Sequence, residues 1–179
     1  MAYQILVIDD EENMGELIQT ALASRGYEVH QETSSRKGLS LAKSGHYHLL
    51  LLDWHLPILS GTQILSDLRA HKNTVNLPIL VITANNNEKL LSQCLDFGAD
   101  DFLFKPFIRK HLAAKVTAWL RRVYHKPEDG KTLSIGAVTL YLANRRLKVL
   151  EEFEFFLRQR EFDIMRFLIK RPGRFVDRA

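Results

Sequence analysis

The chain has 179 residues, 46% of them hydrophobic, and a formal net charge of +4 at pH 7. This composition is typical of a globular protein with a buried core, and no apolar run reaches the ~20 residues that cross a bilayer. The N-terminus lacks the basic-then-apolar pattern of a signal peptide, so we expect a cytoplasmic protein without membrane contact. The single cysteine, Cys94, excludes an internal disulfide, and its apolar neighbours favour a core position over a reactive thiol.

Strand-like and helix-like segments alternate along the first two thirds of the chain. Short apolar runs predict five strands, at 4–8, at 27–31, ending at Asp53, at 79–82 and at 101–104. Apolar residues at helical spacing predict five helices, around 14–22, 33–43, 64–68, 89–97 and 109–123. Five strand and helix pairs in this order predict an α/β fold, a flavodoxin-like (βα)5 doubly wound parallel sheet with strand order 2-1-3-4-5.

The composition changes at residues 124–131, a polar stretch with Pro127 and Gly130 that we predict to be a linker. It separates a first domain, residues 1–123, from a smaller unit, residues 132–179. The smaller unit has the pattern of four short strands followed by a helix, at 133–135, 138–142, 147–150, 153–157 and about 162–169. About 50 residues of this kind make a poor independent core, so we expect the second unit to be incomplete.

The positive charge lies in the last third of the chain, because acidic and basic side chains balance over residues 1–125. A basic segment after a neutral domain is weak evidence for a polyanionic partner. A solvated basic surface is the alternative.

Carboxylates stand where two of the predicted strands end. Asp9 and Asp10 follow the first strand, and Asp53 ends the third. In the order 2-1-3-4-5 these two strands are neighbours, so the acids should meet in the crevice at the carboxyl edge of the sheet. Such a cluster is tolerable if it holds a hard cation, and Mg²⁺ binds through a few carboxylates. Each acid taken alone could instead solvate a loop or a helix N-terminus.

The fourth and fifth predicted strands end at Thr83 and just before Lys105, which bring a hydroxyl and a cation to the same edge. A carboxylate nucleophile, a metal, a hydroxyl and a lysine together suit phosphoryl transfer, because positioning and positive charge stabilise its transition state.

These strand ends resemble the receiver domains of two-component response regulators. The resemblance covers residues 4–122 and rests on the following motifs: Asp9-Asp10-Glu11, Asp53 with Pro57 and Gly61, Thr83-Ala84, Gly98-Ala99-Asp100-Asp101-Phe102, and Lys105-Pro106-Phe107. It implies that Asp53 accepts a phosphoryl group from a histidine kinase or a small phosphodonor. It also implies that Mg²⁺ is held by Asp9, Asp10, Asp53 and the main-chain carbonyl of His55.

The same resemblance assigns a role to three further positions. Thr83 and Lys105 would bind the phosphoryl oxygens, and Thr83 and the ring of Phe102 would shift when the group is added. The bond between Lys105 and Pro106 would be cis.

Active receivers of this family pair through surface charges, which places Asp100, Asp101 and Lys115 at a dimer surface. Leu91 and His111 stand where an arginine and a glutamate are usual, so at least one expected ion pair is missing.

The second unit resembles the start of the winged-helix effector domain of OmpR/PhoB-type regulators, through its strand platform and residues 157–165 and 171–178. The recognition helix and wing would follow Ala179, so the resemblance implies a partial α+β winged-helix domain with weak, nonspecific DNA binding. DNA and RNA polymerase are expected partners if the full effector domain exists. Arg158 replaces the usual capping threonine, so the helix start should be weaker.

The expected function is therefore that of a response regulator whose phosphorylation controls transcription. The alternative is a receiver that acts through protein contacts alone, as a phosphate relay or sink. An independent enzyme is disfavoured, since no Asp-x-Asp motif follows the first strand and no Gly-x-x-x-x-Gly-Lys-Ser/Thr loop is present. His46 and His48 are too few for a zinc site.

Overall fold

The computed structural model describes residues 2–124, 131–150 and 152–173. Residues 125–130 of the predicted linker lie outside the described residues, and so do the motif residues 174–178. The described residues form two compact units that divide between Leu120 and Arg121. None of their helices combines the length and the apolar character needed to span a bilayer.

The first unit is built on a parallel sheet with strand order β2-β1-β3-β4-β5, which confirms the predicted flavodoxin-like fold. Its strands are β1 (Gln4–Ile8), β2 (Glu28–Glu32), β3 (Leu49–Asp53), β4 (Ile79–Thr83) and β5 (Asp101–Phe104). Every residue of β3 and β4 is buried. These strands read as continuous apolar runs because a central parallel strand is covered on both faces.

A helix follows each of these strands, as predicted. The helices are α1 (Glu12–Ala23), α2 (Ser35–Lys43), α3 (Gly61–Ala70), α4 (Glu88–Asp96) and α5 (Arg109–Tyr124). Helix α2 begins two residues later than predicted because the Ser34 hydroxyl accepts the Lys37 N–H and so caps the helix. Gly26 and Gly98, with φ of 71° and 102°, follow α1 and α4 in a left-handed conformation that favours glycine.

One face of the sheet packs against α2, α3 and α4. Alternate strand residues such as Leu50 and Leu52 join Ile64 and Leu65 of α3 and Cys94 of α4 in a single buried cluster. Burial raises the pKa of the Cys94 thiol to about 11. The cysteine is therefore a core residue, as its apolar neighbours indicated.

The second unit contains an antiparallel sheet in the order β6-β7-β8-β9 and one helix. Its elements are β6 (Thr132–Ile135), β7 (Val138–Tyr141), β8 (Arg146–Val149), β9 (Phe153–Phe156) and α6 (Gln159–Ile169). The Arg158 side chain makes no capping hydrogen bond to α6, but the Glu161 carboxylate accepts the Arg158 backbone N–H at 2.8 Å. The small core comprises Leu140, Phe162 and Ile169.

Candidate functional site

Three carboxylates converge at the carboxyl edge of the parallel sheet. Asp9 and Asp10 follow β1, and Asp53 is the last residue of the neighbouring β3. Each offers one oxygen, and these oxygens all lie within 4.8 Å of one another. Asp9 and Asp53 are buried, whereas Asp10 is exposed. A compact set of carboxylate oxygens with one open side fits Mg²⁺, which takes a few protein oxygens and keeps several waters.

The Lys105 ammonium contacts two acids of this cluster and a third acid, Glu11. It donates to Oδ2 of Asp53 at 2.6 Å, to Oδ2 of Asp9 at 3.0 Å and to Oε1 of Glu11 at 3.0 Å. The peptide between Lys105 and Pro106 is cis, as the resemblance implied. One cation therefore contacts three carboxylates, two of them buried.

The protonation states of Lys105 and Asp9 follow from their burial and from the charges around them. Burial alone would lower the pKa of Lys105, but its hydrogen bonds to Asp53, Asp9 and Glu11 outweigh burial and hold that pKa above its ordinary value. Burial raises the pKa of Asp9, and the lowering by Lys105 and by the Glu11 N–H does not cancel it. Lys105 is therefore charged at neutral pH, whereas burial disfavours the ionised form of Asp9.

Backbone groups hold the second oxygen of each buried carboxylate. Oδ1 of Asp9 accepts the Glu11 N–H at 3.0 Å, and Oδ1 of Asp53 accepts the His55 N–H at 2.8 Å. Each carboxylate thus has one oxygen fixed by its own loop and one that faces Lys105. The loop position of His55 beside Asp53 is clear from this bond, while the ligand role of its carbonyl stays a prediction.

The two predicted switch residues lie on adjacent strands. Thr83 is wholly buried at the end of β4, and its hydroxyl accepts the Asn85 N–H at 3.1 Å. Its carbonyl accepts the Lys105 N–H at 2.8 Å. Phe102 is half-buried on β5, with its ring centroid 5.3 Å from that of Phe104. The structure brings Thr83 to the lysine, and the movements of Thr83 and Phe102 remain predictions.

The structure corrects the predicted place of Asp100 at a dimer surface. The Asp100 side chain is only 5% exposed, and its Oδ2 accepts from Arg69 Nη2 at 2.8 Å and from the Ile79 N–H at 2.9 Å. Sequence reasoning missed this pair because Arg69 lies 31 residues away and belongs to no motif.

The other two predicted dimer residues contact each other within the chain. Lys115 donates to both carboxylate oxygens of Asp101, at 2.8 and 2.7 Å, and the Trp119 indole N–H donates to Asp101 at 3.2 Å. Both side chains are partly exposed, at 26% for Asp101 and 36% for Lys115. Their pairing across a dimer would require this contact to open.

A known protein family matches most of the first unit. Residues 5–117 match the family described as the response regulator receiver domain. The chain belongs to this family. Among curated relatives, the transcriptional regulatory protein PcoR of Escherichia coli is 32% identical over 98% of this chain and 76% of its own length. The transcriptional regulatory protein SrrA of Staphylococcus aureus is 31% identical over 99% of this chain and 75% of its own length. Because both likenesses extend through the second unit, they identify an OmpR/PhoB-type response regulator.

Two solved structures show the same fold. The receiver domain of a sensor histidine kinase from Pseudomonas aeruginosa, with a magnesium ion coordinated in its active-site cleft, is 30% identical with a TM-score of 0.59. It covers 69% of this chain and 98% of that domain. The chemotaxis response regulator CheY4 of Vibrio cholerae, at 22% identity and a TM-score of 0.62, covers 65% of this chain and 98% of its own. CheY4 supports the fold alone.

Proposed function

We propose that this response regulator accepts a phosphoryl group on Asp53 and thereby controls transcription. The proposal rests on the buried carboxylate of Asp53. It contacts the Lys105 ammonium, and one of its oxygens lies within 4.8 Å of carboxylate oxygens of Asp9 and Asp10. Two relatives that match nearly the whole chain are named transcriptional regulatory proteins, which supports the output.

In the proposed transfer, an oxygen of the Asp53 carboxylate forms a bond to phosphorus while the bond from phosphorus to the donor nitrogen breaks. The donor is a phosphorylated imidazole of a histidine kinase, and the departing imidazole takes up a proton. The His55 N–H orients the carboxylate, and the Lys105 ammonium offsets the negative charge of the transferred oxygens. The Thr83 hydroxyl would donate to one of those oxygens after the transfer.

Asp9, Asp10, Asp53 and the main-chain carbonyl of His55 would hold Mg²⁺. When bound, the ion neutralises negative charge on the phosphoryl oxygens and on the acids around them. The carboxylate set supports this assignment, as does the magnesium ion in the cleft of the Pseudomonas aeruginosa domain. No independent catalytic turnover is proposed for the chain beyond gain and loss of its own phosphoryl group.

The added group brings about −1.5 to −2 charges next to Lys105 and Thr83. Movement of Thr83 and Phe102 would carry the change along β4 and β5 to the face that includes α4 and α5. The partners of this output are proposed to be a cognate histidine kinase, a second copy of the chain, and DNA with RNA polymerase. Pairing of two copies through Asp101 and Lys115 would compete with the bond these residues form within one chain.

The proposal is tested by labelling the chain with a radioactive small phosphodonor in the presence of Mg²⁺. The Asp53→Ala variant should take up no label. The matched control is Asp67→Ala, because Asp67 is a largely exposed acid on α3, and it should label like the wild type. Label that persists on Asp53→Ala would place the chemistry at another residue and overturn the proposal.

A further inference from the structure

The side chain of Gln31 connects β2 to the loop that carries the predicted metal ligands. Its Nε2 amide donates to the carbonyl of Glu11 at 2.9 Å and to the carbonyl of Asp9 at 3.3 Å. These two carbonyls stand on either side of Asp10 in the chain. One side-chain amide therefore fixes the backbone before and after an exposed carboxylate of the cluster.

The space for this amide is provided by Gly15 on α1. A Cβ atom added to Gly15 would lie 1.7 Å from Oε1 and 2.3 Å from Cδ of Gln31, which is far inside van der Waals contact. Glycine destabilises the interior of a helix relative to alanine. A buried glycine at the fourth position of α1 is explained by the Gln31 side chain that lies against it.

Other bonds in the same loop depend on its backbone geometry. The Glu11 N–H donates to Asp9 Oδ1. The Glu11 carbonyl accepts the N–H of Met14, which lies in the first turn of α1. The Glu11 side chain caps no helix N–H, and its carboxylate contacts Lys105 instead. A shift of the Glu11 backbone would therefore disturb both the Asp9 carboxylate and the lysine.

We propose that Gln31 is a positioning residue for cation binding by Asp9 and Asp10, a role that rests on the function proposed above for these acids. Gln31 touches neither the cation nor the phosphoryl group. It holds the Asp9 and Glu11 carbonyls, and the backbone fixed in this way directs the carboxylates of Asp9 and Asp10 toward Asp53. Loss of groups that orient metal ligands typically lowers metal affinity 10- to 100-fold.

The first test compares Mg²⁺ affinity and stability in three unphosphorylated forms of the 179-residue chain: wild type, Gln31→Met and His30→Met. Methionine retains the length of Gln31 and fills the space against Gly15, but it donates no hydrogen bond. His30 is the exposed neighbour on β2 and serves as the matched control. Calorimetric titration with Mg²⁺ should give a Kd about tenfold higher for Gln31→Met and unchanged for His30→Met.

The melting temperature separates positioning from general damage. Gln31→Met should melt close to the wild type while its Mg²⁺ affinity falls. A Kd for Gln31→Met equal to that of the wild type would overturn the inference and leave the proposed function standing. Affinity that only follows the melting temperature across the three proteins would also overturn it. If the wild type bound no Mg²⁺, the proposed function would fail, and the role of Gln31 would fail with it.

A second test uses Gly15→Ala in two backgrounds. In the wild type the new methyl group displaces the Gln31 amide, so the Mg²⁺ Kd should rise and the melting temperature should fall. In Gln31→Gly the whole side chain is gone, including the Cβ that would lie 3.0 Å from the added atom, so the same substitution should raise the melting temperature through better helix propensity. Equal effects of Gly15→Ala in both backgrounds would show that the two residues do not act together and would contradict the inference.

Discussion

The ammonium of Lys105 lies 2.6 Å from Oδ2 of Asp53, with the two side chains only 13% and 7% exposed. The same ammonium also contacts Asp9 and Glu11, and Asp10 lies within the same cluster. Negative charge therefore exceeds positive charge in the metal-free site. The stability of the metal-free protein should report on this imbalance.

Lys105→Met should lower the free energy of unfolding by about 3 kcal/mol in chelator, because removal of one partner leaves buried carboxylates unpaired. Excess Mg²⁺ should restore a large part of this loss, since the ion supplies positive charge at the same place. Urea unfolding with chelator and with Mg²⁺ measures both quantities. Lys72→Met, at an exposed lysine after α3, should change stability by less than about 0.5 kcal/mol. A Lys105→Met protein that is indifferent to Mg²⁺ would contradict this account.

The pH dependence of stability should change in Asp9→Asn. The pKa of Asp9 is raised in the folded protein, chiefly by burial, so folding favours the protonated acid. The resulting stability is fully present below the unfolded pKa near 3.8 and is lost as the pH rises through the folded pKa. At neutral pH without metal, Asp9→Asn should therefore be more stable than the wild type, and the difference should vanish in acid. Urea unfolding over a pH series in chelator checks this. An Asp9→Asn protein less stable than the wild type at neutral pH would contradict the prediction.

Arg69→Met should be strongly destabilising, by about 3–5 kcal/mol, because it leaves Asp100 charged and buried. The Arg69 side chain is 8% exposed and also donates to the carbonyls of Gly98, Thr74 and Leu77 at 2.8 to 2.9 Å. Chemical unfolding of Arg69→Met, Asp100→Asn and the double variant should show that the double variant loses less than the two single losses combined.

The control for the Arg69 experiment is the pair of Lys43 and Asp67, which lie 3.5 Å apart and whose side chains are 30% and 57% exposed. Lys43→Met should lose no more than about 1 kcal/mol, because solvent screens such a pair. Strict additivity at Arg69 and Asp100 would mean that the two residues stabilise the fold separately.

Ile58→Gly should stabilise the protein by about 0.5–1 kcal/mol. Ile58 has a φ of 73°, which is unfavourable for a β-branched residue, and its side chain is 70% exposed, so little burial is lost. Val75→Gly, at another exposed loop residue whose φ is not positive, should instead lose about 0.5–1 kcal/mol through the entropy of glycine. Thermal unfolding of both variants measures the contrast, and a loss of stability in both would exclude strain at Ile58.

The sheet and the acidic cluster could be predicted because short-range patterns determine them. Apolar runs that end at Asp53 and just before Asp9 mark buried parallel strands, and the strand order brings those ends together. The start of α2 was misplaced because the pattern did not reveal that the Ser34 hydroxyl caps the helix.

Contacts across the fold could not be read from the sequence. Asp100 was placed at a surface because active receivers of this family pair through surface charges, whereas its partner in this chain, Arg69, lies on α3. The bonds of Gln31 to the Asp9 and Glu11 carbonyls carry no sequence signature, because a glutamine on a strand can equally well face solvent. The contact of Glu11 with Lys105 was missed although Glu11 belongs to the acidic motif, since 94 residues separate the two.

The contact between Gly15 and Gln31 also restricts the order in which this protein can change over evolutionary time. A larger residue at position 15 meets the glutamine side chain, so that substitution is harmful while Gln31 remains. If position 31 first loses the whole glutamine side chain, including the Cβ that would lie 3.0 Å from the added atom, the same change at position 15 becomes harmless or favourable. Descendants of this sequence should therefore reach a non-glycine residue in α1 mainly by way of an altered β2, and mutational paths in the opposite order should be rare.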